Sequence, residues 1–330
     1  MQPFVRALLV LLFVASLASA QTDVPQRHFA FHYAFSVRNT NPGAPLRIWV
    51  PLAHSSDFQT VTVASKSGDL PLRQTTEAEY GNQMLYAETA HADKPEYQFE
   101  VVYDVIRRQS SPEKAHAADA NLRFLSPDKL VPTTGLPAEL ALKQVSDVKG
   151  GDYEKGRAIY QYVLANMSYD KSGTGWGHGD TLYACNAKRG NCTDFHSLFI
   201  SMARSQKIPA RFEIGFPIPA DKQSGEIAGY HCWADFYTSD HGWVPIDISE
   251  AWKHPEQREF FFGHWDDNRV QFSIGRDVAL SPRQDGEPLN YFVYPYVEVD
   301  HKEYSNVSTH FSFADAAGLA PPTGVTVSTR

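Results

Sequence analysis

Three short segments of the chain supply a thiol, an imidazole and a carboxylate, in that order. Cys192 lies in the segment Gly-Asn-Cys-Thr-Asp, His231 in Tyr-His-Cys-Trp-Ala-Asp, and Asp247 in Gly-Trp-Val-Pro-Ile-Asp. A thiol is a weak nucleophile at neutral pH unless a neighbouring base holds it as the thiolate, and a carboxylate can orient that base. The three residue types together indicate chemistry on an amide carbonyl through a thioester.

The residues around Cys192 predict a helix that begins at the thiol. Asn191 is a favourable N-cap, and Asp194 resembles the third residue of a capping box, with Asp in place of Glu. Four apolar residues then recur at helical spacing, namely Phe195, Leu198, Phe199 and Met202. A thiol in the first helical turn faces free backbone N–H groups, which favour the thiolate and could also stabilise an oxyanion.

His231 and Asp247 are predicted to lie on two neighbouring strands. Alternation places His231, Trp233 and Asp235 on one face of the first strand and Cys232 on the opposite face, in the core. The second strand is expected over residues 242–249. A hairpin loop of three residues, 238–240, would set His231 opposite Asp247, and a five-residue loop would leave them diagonal. The sequence permits both registers.

Other polar and aromatic residues have weaker assignments. Tyr169 and Trp176 lie upstream, where a second oxyanion or substrate contact could arise, and Trp233 is expected beside the imidazole. A zinc site would draw on Cys185, Cys192, His196 and His231, but the Cys-x6-Cys-x3-His spacing fits no compact zinc motif. We therefore predict neither a metal nor a cofactor. A disulfide between Cys185 and Cys232 stays open, because sequence does not report their separation.

The chain is predicted to divide into five regions. Residues 1–20 read as a cleaved export signal, since a basic start, an apolar run and Ala-Ser-Ala follow one another. Residues 21–110 read as short strands of a β-sandwich, 111–136 as a linker, 137–317 as a second domain that carries the three segments, and 318–330 as a flexible tail. No segment after the signal is long enough to span a membrane.

The charge of the chain argues against one class of partner. The formal net charge is −8, and the Lys and Arg residues are scattered. Such a surface repels polyanions, so a nucleic acid is not expected as a partner. The oligomeric state does not follow from the sequence.

The three segments resemble the transglutaminase-like superfamily of papain-type thiol enzymes. The resemblance is carried by Gly190–Asp194, by His231–Phe236 and by Gly242–Ser249, and it extends over roughly residues 137–255. It implies an α+β core in which a helix carrying Cys192 packs on an antiparallel sheet carrying His231 and Asp247. The N-terminal region is loosely similar to the β-sandwich that precedes such cores in exported bacterial members.

The expected function is that of an exported thiol enzyme, periplasmic or secreted, with a peptide or protein substrate. Hydrolysis of a peptide or glutamine amide is favoured over transfer to an amine, because water is always present as an acceptor. The alternative from another class is a non-catalytic module of the cell envelope that binds a peptide or polymer.

Overall fold

The computed structural model describes residues 24–111 and 122–316. The predicted export signal at 1–20, residues 112–121 of the predicted linker, and the tail at 318–330 lie outside these described residues. Within them, no helix is long and apolar enough to cross a membrane.

The N-terminal region consists of strands whose side chains alternate between core and surface. In the first strand, Phe29, Phe31, Tyr33 and Phe35 are buried at every second position, as expected for a strand with one face in the core. The strands are β1 (Gln26–Arg38), β2 (Leu46–Pro51), β3 (Gln59–Gly68), β4 (Arg73–Thr76), β5 (Gln83–Thr89) and β6 (Glu96–Arg108).

Helices and strands alternate through the next part of the chain. The helices are α1 (Leu136–Val145), α2 (Asp152–Asn166), α3 (Thr181–Ala187), α4 (Cys192–Ser205) and α5 (Ile248–Lys253). The strands among them are β7 (Ser168–Tyr169), β8 (Arg189–Gly190), β9 (Ala210–Pro217), β10 (Ser224–Glu226), β11 (His231–Thr238) and β12 (Gly242–Ile246). Four further strands follow, β13 (Arg269–Ile274), β14 (Tyr296–Val299), β15 (Lys302–Glu303) and β16 (Val307–Asp315). Two 3-10 helices lie at Leu122–Leu125 and Pro255–Gln257.

The helix that begins at Cys192 lies against a four-stranded antiparallel sheet. The strand order of this sheet is β12-β11-β9-β13, and α4 contacts both β9 and β11. Residues 192–204 of α4 are all buried, so the helix is enclosed by its neighbours. This mixed arrangement of helices and antiparallel strands confirms the predicted α+β fold class.

The N-terminal strands belong to two five-stranded sheets that later strands of the chain complete. One sheet has the order β10-β16-β1-β6-β3 and the other β15-β14-β2-β5-β4. Strand β16 pairs with β1 along nine positions, from Phe29 opposite Asp315 to Val37 opposite Val307. Hydrogen bonding thus crosses the predicted boundary between residues 21–110 and 137–317, and the division into those two domains stays a prediction.

An aromatic cluster joins the first five-stranded sheet to the sheet under α4. The ring centroids of Phe31 and Phe216 lie 5.2 Å apart, and those of Tyr33 and Phe272 lie 5.5 Å apart. Phe216 belongs to β9 and Phe272 to β13, so β1 packs directly behind the strands that support the site. Aromatic side chains bury large apolar areas, and such contacts bring the N-terminal sheet and the α4 sheet into one core.

Candidate active site

Cys192 occupies the first position of α4, as the capping pattern predicts. The Asn191 side chain accepts a hydrogen bond from the Thr193 backbone N–H at 2.9 Å, and Asp194 accepts one from the Asn191 N–H at 2.9 Å. These two bonds form a capping box, which satisfies backbone donors that the helix itself leaves free. Cys192 is only 2 % exposed, so its sulfur sits at the floor of the site rather than on the surface.

Asp194 also fastens the glycine-rich loop at residues 173–179 to the start of this helix. Its carboxylate accepts hydrogen bonds from the backbone N–H groups of Gly177 at 2.7 Å and Gly179 at 3.1 Å. A Cβ added at Gly190 would lie 2.1 Å from the Asp194 Oδ2, which explains why glycine precedes the cap. Burial raises the pKa of Asp194, and the backbone donors oppose that rise.

In the hairpin that carries His231, the side chains of His231 and Asp247 are diagonal rather than directly opposite, which is one of the two arrangements that the sequence permits. Ala234 lies opposite Ile246, and the loop is the three residues 239–241, so the extrapolated partner of Asp247 is Trp233. His231 is therefore one alternate position away from Asp247 on the same face. The two side chains still meet, because the His231 Nε2 lies 2.7 Å from the Asp247 Oδ2.

The predicted strand over residues 242–249 is wrong beyond Ile246. Asp247 leaves the strand and becomes the N-cap of α5, where its Oδ1 accepts hydrogen bonds from the Glu250 N–H and the Ser249 hydroxyl, each at 3.0 Å. An Asp followed by Ser and Glu competes as a capping sequence with strand alternation. The carboxylate thereby gains two local donors that hold it in place.

His231 couples Cys192 to Asp247. Its Nε2 is hydrogen-bonded to the Asp247 Oδ2 at 2.7 Å, and the Cys192 thiol lies close enough to the imidazole that each shifts the pKa of the other. Burial lowers the pKa of His231, but the charge and hydrogen bond of Asp247, with the thiol, outweigh it and raise that pKa to about 10. Burial likewise raises the pKa of Cys192, while hydrogen bonds from Cys232 and His231 and the imidazolium charge hold it well below its ordinary value. The stable form of the pair is thiolate with imidazolium.

Arg269 is a further partner of Asp247 that the sequence pattern did not indicate. Its Nη1 donates to the Asp247 Oδ2 at 2.9 Å and its Nε to Asp266 at 3.1 Å, and its guanidinium stacks 4.8 Å from the centroid of the Trp233 ring. Burial alone would raise the pKa of Asp247, but His231 and Arg269 hold it well below the usual value. No local motif marks Arg269, because it reaches the site from β13, at the far edge of the sheet.

His196 lies beside the chain of three residues as a neutral imidazole. Its Nε2 accepts a hydrogen bond from the Ile248 backbone N–H at 3.1 Å, so that nitrogen carries no proton. Burial lowers the pKa of His196 to about 4. Its other nitrogen, Nδ1, lies 3.7 Å from the Cys232 sulfur.

The cysteines and acids do not assemble as the alternative zinc hypothesis requires. Cys185, Cys192 and Cys232 are all free, and burial raises the pKa of Cys185 to about 11. Among the described residues, the group whose ligand atoms converge within 4.8 Å is His231, Asp247 and Glu250, which does not contain the proposed cysteine ligands.

Two clefts open on either side of His231 and share Pro217, His231 and Glu250. The larger has a volume of about 600 Å³ and is lined by Phe260 and Phe261. The smaller, of about 410 Å³, is lined by Tyr169 and Tyr230 among others. A substrate chain that crosses His231 would pass from one cleft into the other.

The three residues with weaker assignments have different surroundings. Tyr169 lines the smaller cleft, and the Lys253 Nζ lies 4.3 Å from its ring centroid. Trp176 is half-buried in the glycine-rich loop, where its Nε1 donates to the Gly173 carbonyl at 3.2 Å. Trp233 is fully buried and donates to Glu213 at 2.7 Å, so it supports the His231 ring from behind, at 5.8 Å, and has no surface for a substrate.

Tyr230 is the aromatic residue that lies nearest to the start of α4 in the smaller cleft. Its hydroxyl accepts a hydrogen bond from the Asn191 Nδ2 at 3.0 Å and lies 2.9 Å from the Thr193 Oγ1. Sequence reasoning missed this contact, although Tyr230 directly precedes His231. The cap of the thiol helix and the strand of the imidazole are thus tied together by one phenol.

Comparisons with known proteins agree with this geometry. Residues 140–248 match the model of the transglutaminase-like superfamily. The chain carries a transglutaminase-like core. The matched segment contains Cys192, His231 and Asp247, together with α4 and the hairpin that position them.

Similar proteins extend beyond this core. A protein of Haemophilus influenzae, described as uncharacterized, is 27 % identical over 345 residues, which cover 89 % of this chain and 93 % of the relative. A solved structure from Cytophaga hutchinsonii, described as a candidate cysteine protease, covers 90 % of this chain and 93 % of its own with a TM-score of 0.57 and 16 % identity. The periplasmic domain of TgpA from Pseudomonas aeruginosa is 15 % identical, with a TM-score of 0.37, over 69 % of this chain and 90 % of its own. The Cytophaga likeness shows that the two chains share a fold over most of their length.

Proposed function

We propose that this transglutaminase-like protein is a thiol enzyme that cleaves peptide or glutamine amide bonds through a thioester on Cys192. One observation carries the proposal: His231 contacts the Cys192 thiol on one side and the Asp247 carboxylate on the other, at 2.7 Å, in a buried setting. Acyl transfer requires a nucleophile next to a base, and an acid that orients the base.

The geometry suggests the role of each group. The Cys192 thiolate attacks the amide carbonyl carbon, and a C–S bond forms while the carbonyl oxygen becomes an oxyanion. That oxygen would face the free N–H groups at the start of α4, which stabilise developing negative charge. His231 then donates its proton to the leaving amine as the C–N bond breaks, and Asp247 keeps the imidazole oriented throughout.

Water is the acceptor that we favour for the resulting thioester. For a lysine amine to be the acceptor, we expect a carboxylate close to the imidazole that is not already paired with another cation. Glu250, the carboxylate that lines both clefts, is already paired with the Lys253 Nζ at 2.6 Å. The other glutamates of the clefts, Glu226 and Glu256, are exposed, where water screens their attraction for a cation.

We also propose that the protein is exported and acts in the periplasm or outside the cell. The support is the sequence of residues 1–20, with its basic start, apolar run and small-residue cleavage pattern. Recovery of a mature chain that begins at Gln21 from the extracytoplasmic fraction would test this part. A chain retained in the cytoplasm with Met1 intact would contradict it.

The activity is tested with the full chain and two cysteine variants. Each protein is incubated with a mixed peptide library, with and without a primary amine, and the products are read by mass spectrometry. Cleavage or ammonia loss should vanish in Cys192→Ala and persist in Cys185→Ala, a matched control at another buried free thiol. Amine addition in place of cleavage would show transfer rather than hydrolysis.

Iodoacetamide separates the enzyme from a binding module. Cys192 should react at pH 6, because its pKa lies well below the ordinary value, whereas Cys185, with a pKa of about 11, should not. An unreactive Cys192 together with no product from any library would contradict the proposal and favour a non-catalytic peptide-binding role.

A further inference from the structure

A second thiol lies beside the first turn of α4, the turn that carries Cys192. Cys232 follows His231 on β11, and its side chain faces away from the imidazole, toward α4. Its sulfur lies 3.7 Å from the Thr193 Oγ1 and 3.7 Å from the His196 Nδ1. Thr193 is the next residue after Cys192, and His196 lies one helical turn further, so the Cys232 sulfur sits beside the first turn of α4. The Cys192 and Cys232 side chains are close enough that each shifts the pKa of the other.

The role proposed above for the site does not use Cys232. Amide cleavage needs one thiol, one base and one acid, and a small apolar residue would fill the Cys232 position equally well. Cys232 is fully buried, so it contacts neither a substrate nor an outside thiol. What remains available to its sulfur is the neighbouring sulfur of Cys192.

We propose that Cys192 and Cys232 form a reversible oxidation site, in which a hydroperoxide oxidises Cys192 and Cys232 then resolves it as an intramolecular disulfide. The site protects the nucleophile, because a sulfenic acid that is converted to a disulfide does not go on to the irreversible sulfinic and sulfonic acids. The clefts beside His231 are the route by which a small hydroperoxide would approach the buried Cys192 sulfur, which neighbours the imidazole.

The two steps balance in atoms and electrons. The Cys192 thiolate attacks one peroxide oxygen, so that an S–O bond forms, the O–O bond breaks, and an alcohol or water leaves. The sulfur loses two electrons to the peroxide and becomes a sulfenic acid. The Cys232 sulfur then attacks the Cys192 sulfur, the S–S bond forms, and hydroxide departs and takes the Cys232 proton as water.

The surroundings of Cys232 favour the second step only after the first. Burial raises the pKa of Cys232, and the charge on Cys192 raises it further, so Cys232 stays protonated while Cys192 is a thiolate. A sulfenic acid on Cys192 is neutral and removes that repulsion. Since the Nε2 of His196 accepts from Ile248, its Nδ1 carries the proton and can stabilise the Cys232 thiolate as it forms.

The test is peptide mapping of the full chain after treatment with hydrogen peroxide. Trypsin places the three cysteines in separate peptides, residues 172–188, 190–204 and 223–253. We expect loss of two hydrogens from the intact mass, a cross-linked pair 190–204 with 223–253, and recovery of both thiols with a reductant. Because mass is the readout, the result does not depend on whether the amide activity is found.

Two variants complete the test. In Cys232→Ser the cross-link should disappear, a sulfenic acid on Cys192 should be trapped by dimedone, and prolonged treatment should add two or three oxygen atoms to residues 190–204. Cys185→Ser should behave as the unmodified chain does. The proposal is overturned if the unmodified chain accumulates sulfinic acid on Cys192 without a cross-link, or if the cross-link contains Cys185. The result for the unmodified chain tests the proposal even if the Cys232 variant does not fold.

Discussion

Asp247 is predicted to control the charge of the thiol through His231. The substitution Asp247→Asn keeps the size of the side chain and removes its charge. In the native site the pKa of His231 rises from 6.5 to about 10. At about 1.4 kcal/mol per pKa unit, this rise corresponds to about 5 kcal/mol in favour of the imidazolium. Asp247 makes the largest contribution that raises this pKa, so the variant should lose a large part of that energy, on the order of 2–3 kcal/mol.

The assay is the rate of iodoacetamide reaction with Cys192 at pH 6. A loss of about 2–3 kcal/mol corresponds to roughly a thirtyfold to 150-fold smaller ratio of ion pair to neutral pair. The alkylation rate should therefore fall by about one to two orders of magnitude, with partial compensation because a less acidic thiolate is a better nucleophile. At higher pH the two proteins should converge, as the variant thiol ionises by itself.

Glu250→Gln is the matched control for this experiment. Its carboxylate also lies close to the imidazole, at 3.8 Å from Nε2, and the substitution removes the same charge. Glu250 is paired with Lys253, so we expect a change of no more than about threefold. The reasoning is refuted if Asp247→Asn, folded according to its thermal unfolding curve, reacts at pH 6 within about twofold of the native protein. It is also refuted if Glu250→Gln loses as much reactivity.

Three further outcomes are expected. Amide cleavage should fall as the pH rises through about 10, because His231 then loses the proton that it gives to the leaving amine, whereas alkylation of Cys192 should not fall. Parallel pH profiles of the two reactions check this, and a decline shared by both would contradict it. Gly190→Ala should lower the free energy of unfolding, measured by urea denaturation, by about 1–3 kcal/mol, because the added Cβ would overlap Asp194. Gly229→Ala is the control and should leave that free energy nearly unchanged, because its added Cβ lies 3.6 Å from the nearest atom. Asp235→Asn should lower the free energy of unfolding by about 2 kcal/mol, because the substitution removes the charge that pairs with an arginine. Alkylation of Cys192 at pH 6 should be unchanged, and a loss of alkylation would place this carboxylate in the site.

The parts of the site that sequence reasoning predicted depend on neighbours along the chain. The helix at Cys192 follows from a cap and an apolar stripe within fifteen residues, and the burial of Cys232 follows from strand alternation. Asp247 was predicted as the acid, but its local structure was not, because capping and alternation compete in the same residues. Local sequence decides such cases only when one of the two signals is much stronger.

The parts that were missed depend on sheet order. Arg269 reaches Asp247 from β13, which pairs with β9 rather than with the hairpin, and no spacing in the sequence encodes that choice. Strands β14 and β16 pair with β2 and β1, which lie more than two hundred residues earlier in the chain. Side-chain patterns report which face of a strand is buried, and they do not report which strand lies beside it.

The pairing of β1 with β16 has a consequence for how the protein is made. Arg27 and Asp315 form an ion pair at 2.8 Å although they are 288 positions apart. Ribosomes deliver a chain from its N-terminus, so β1 can pair with β6 early but must wait for almost three hundred residues before its second neighbour, β16, exists, and closing so long a loop has an entropic cost. Until then the apolar face of β1 and its unpaired edge are open to other chains. Synthesis of this protein therefore includes an interval in which one edge of β1 is exposed and can pair with other chains.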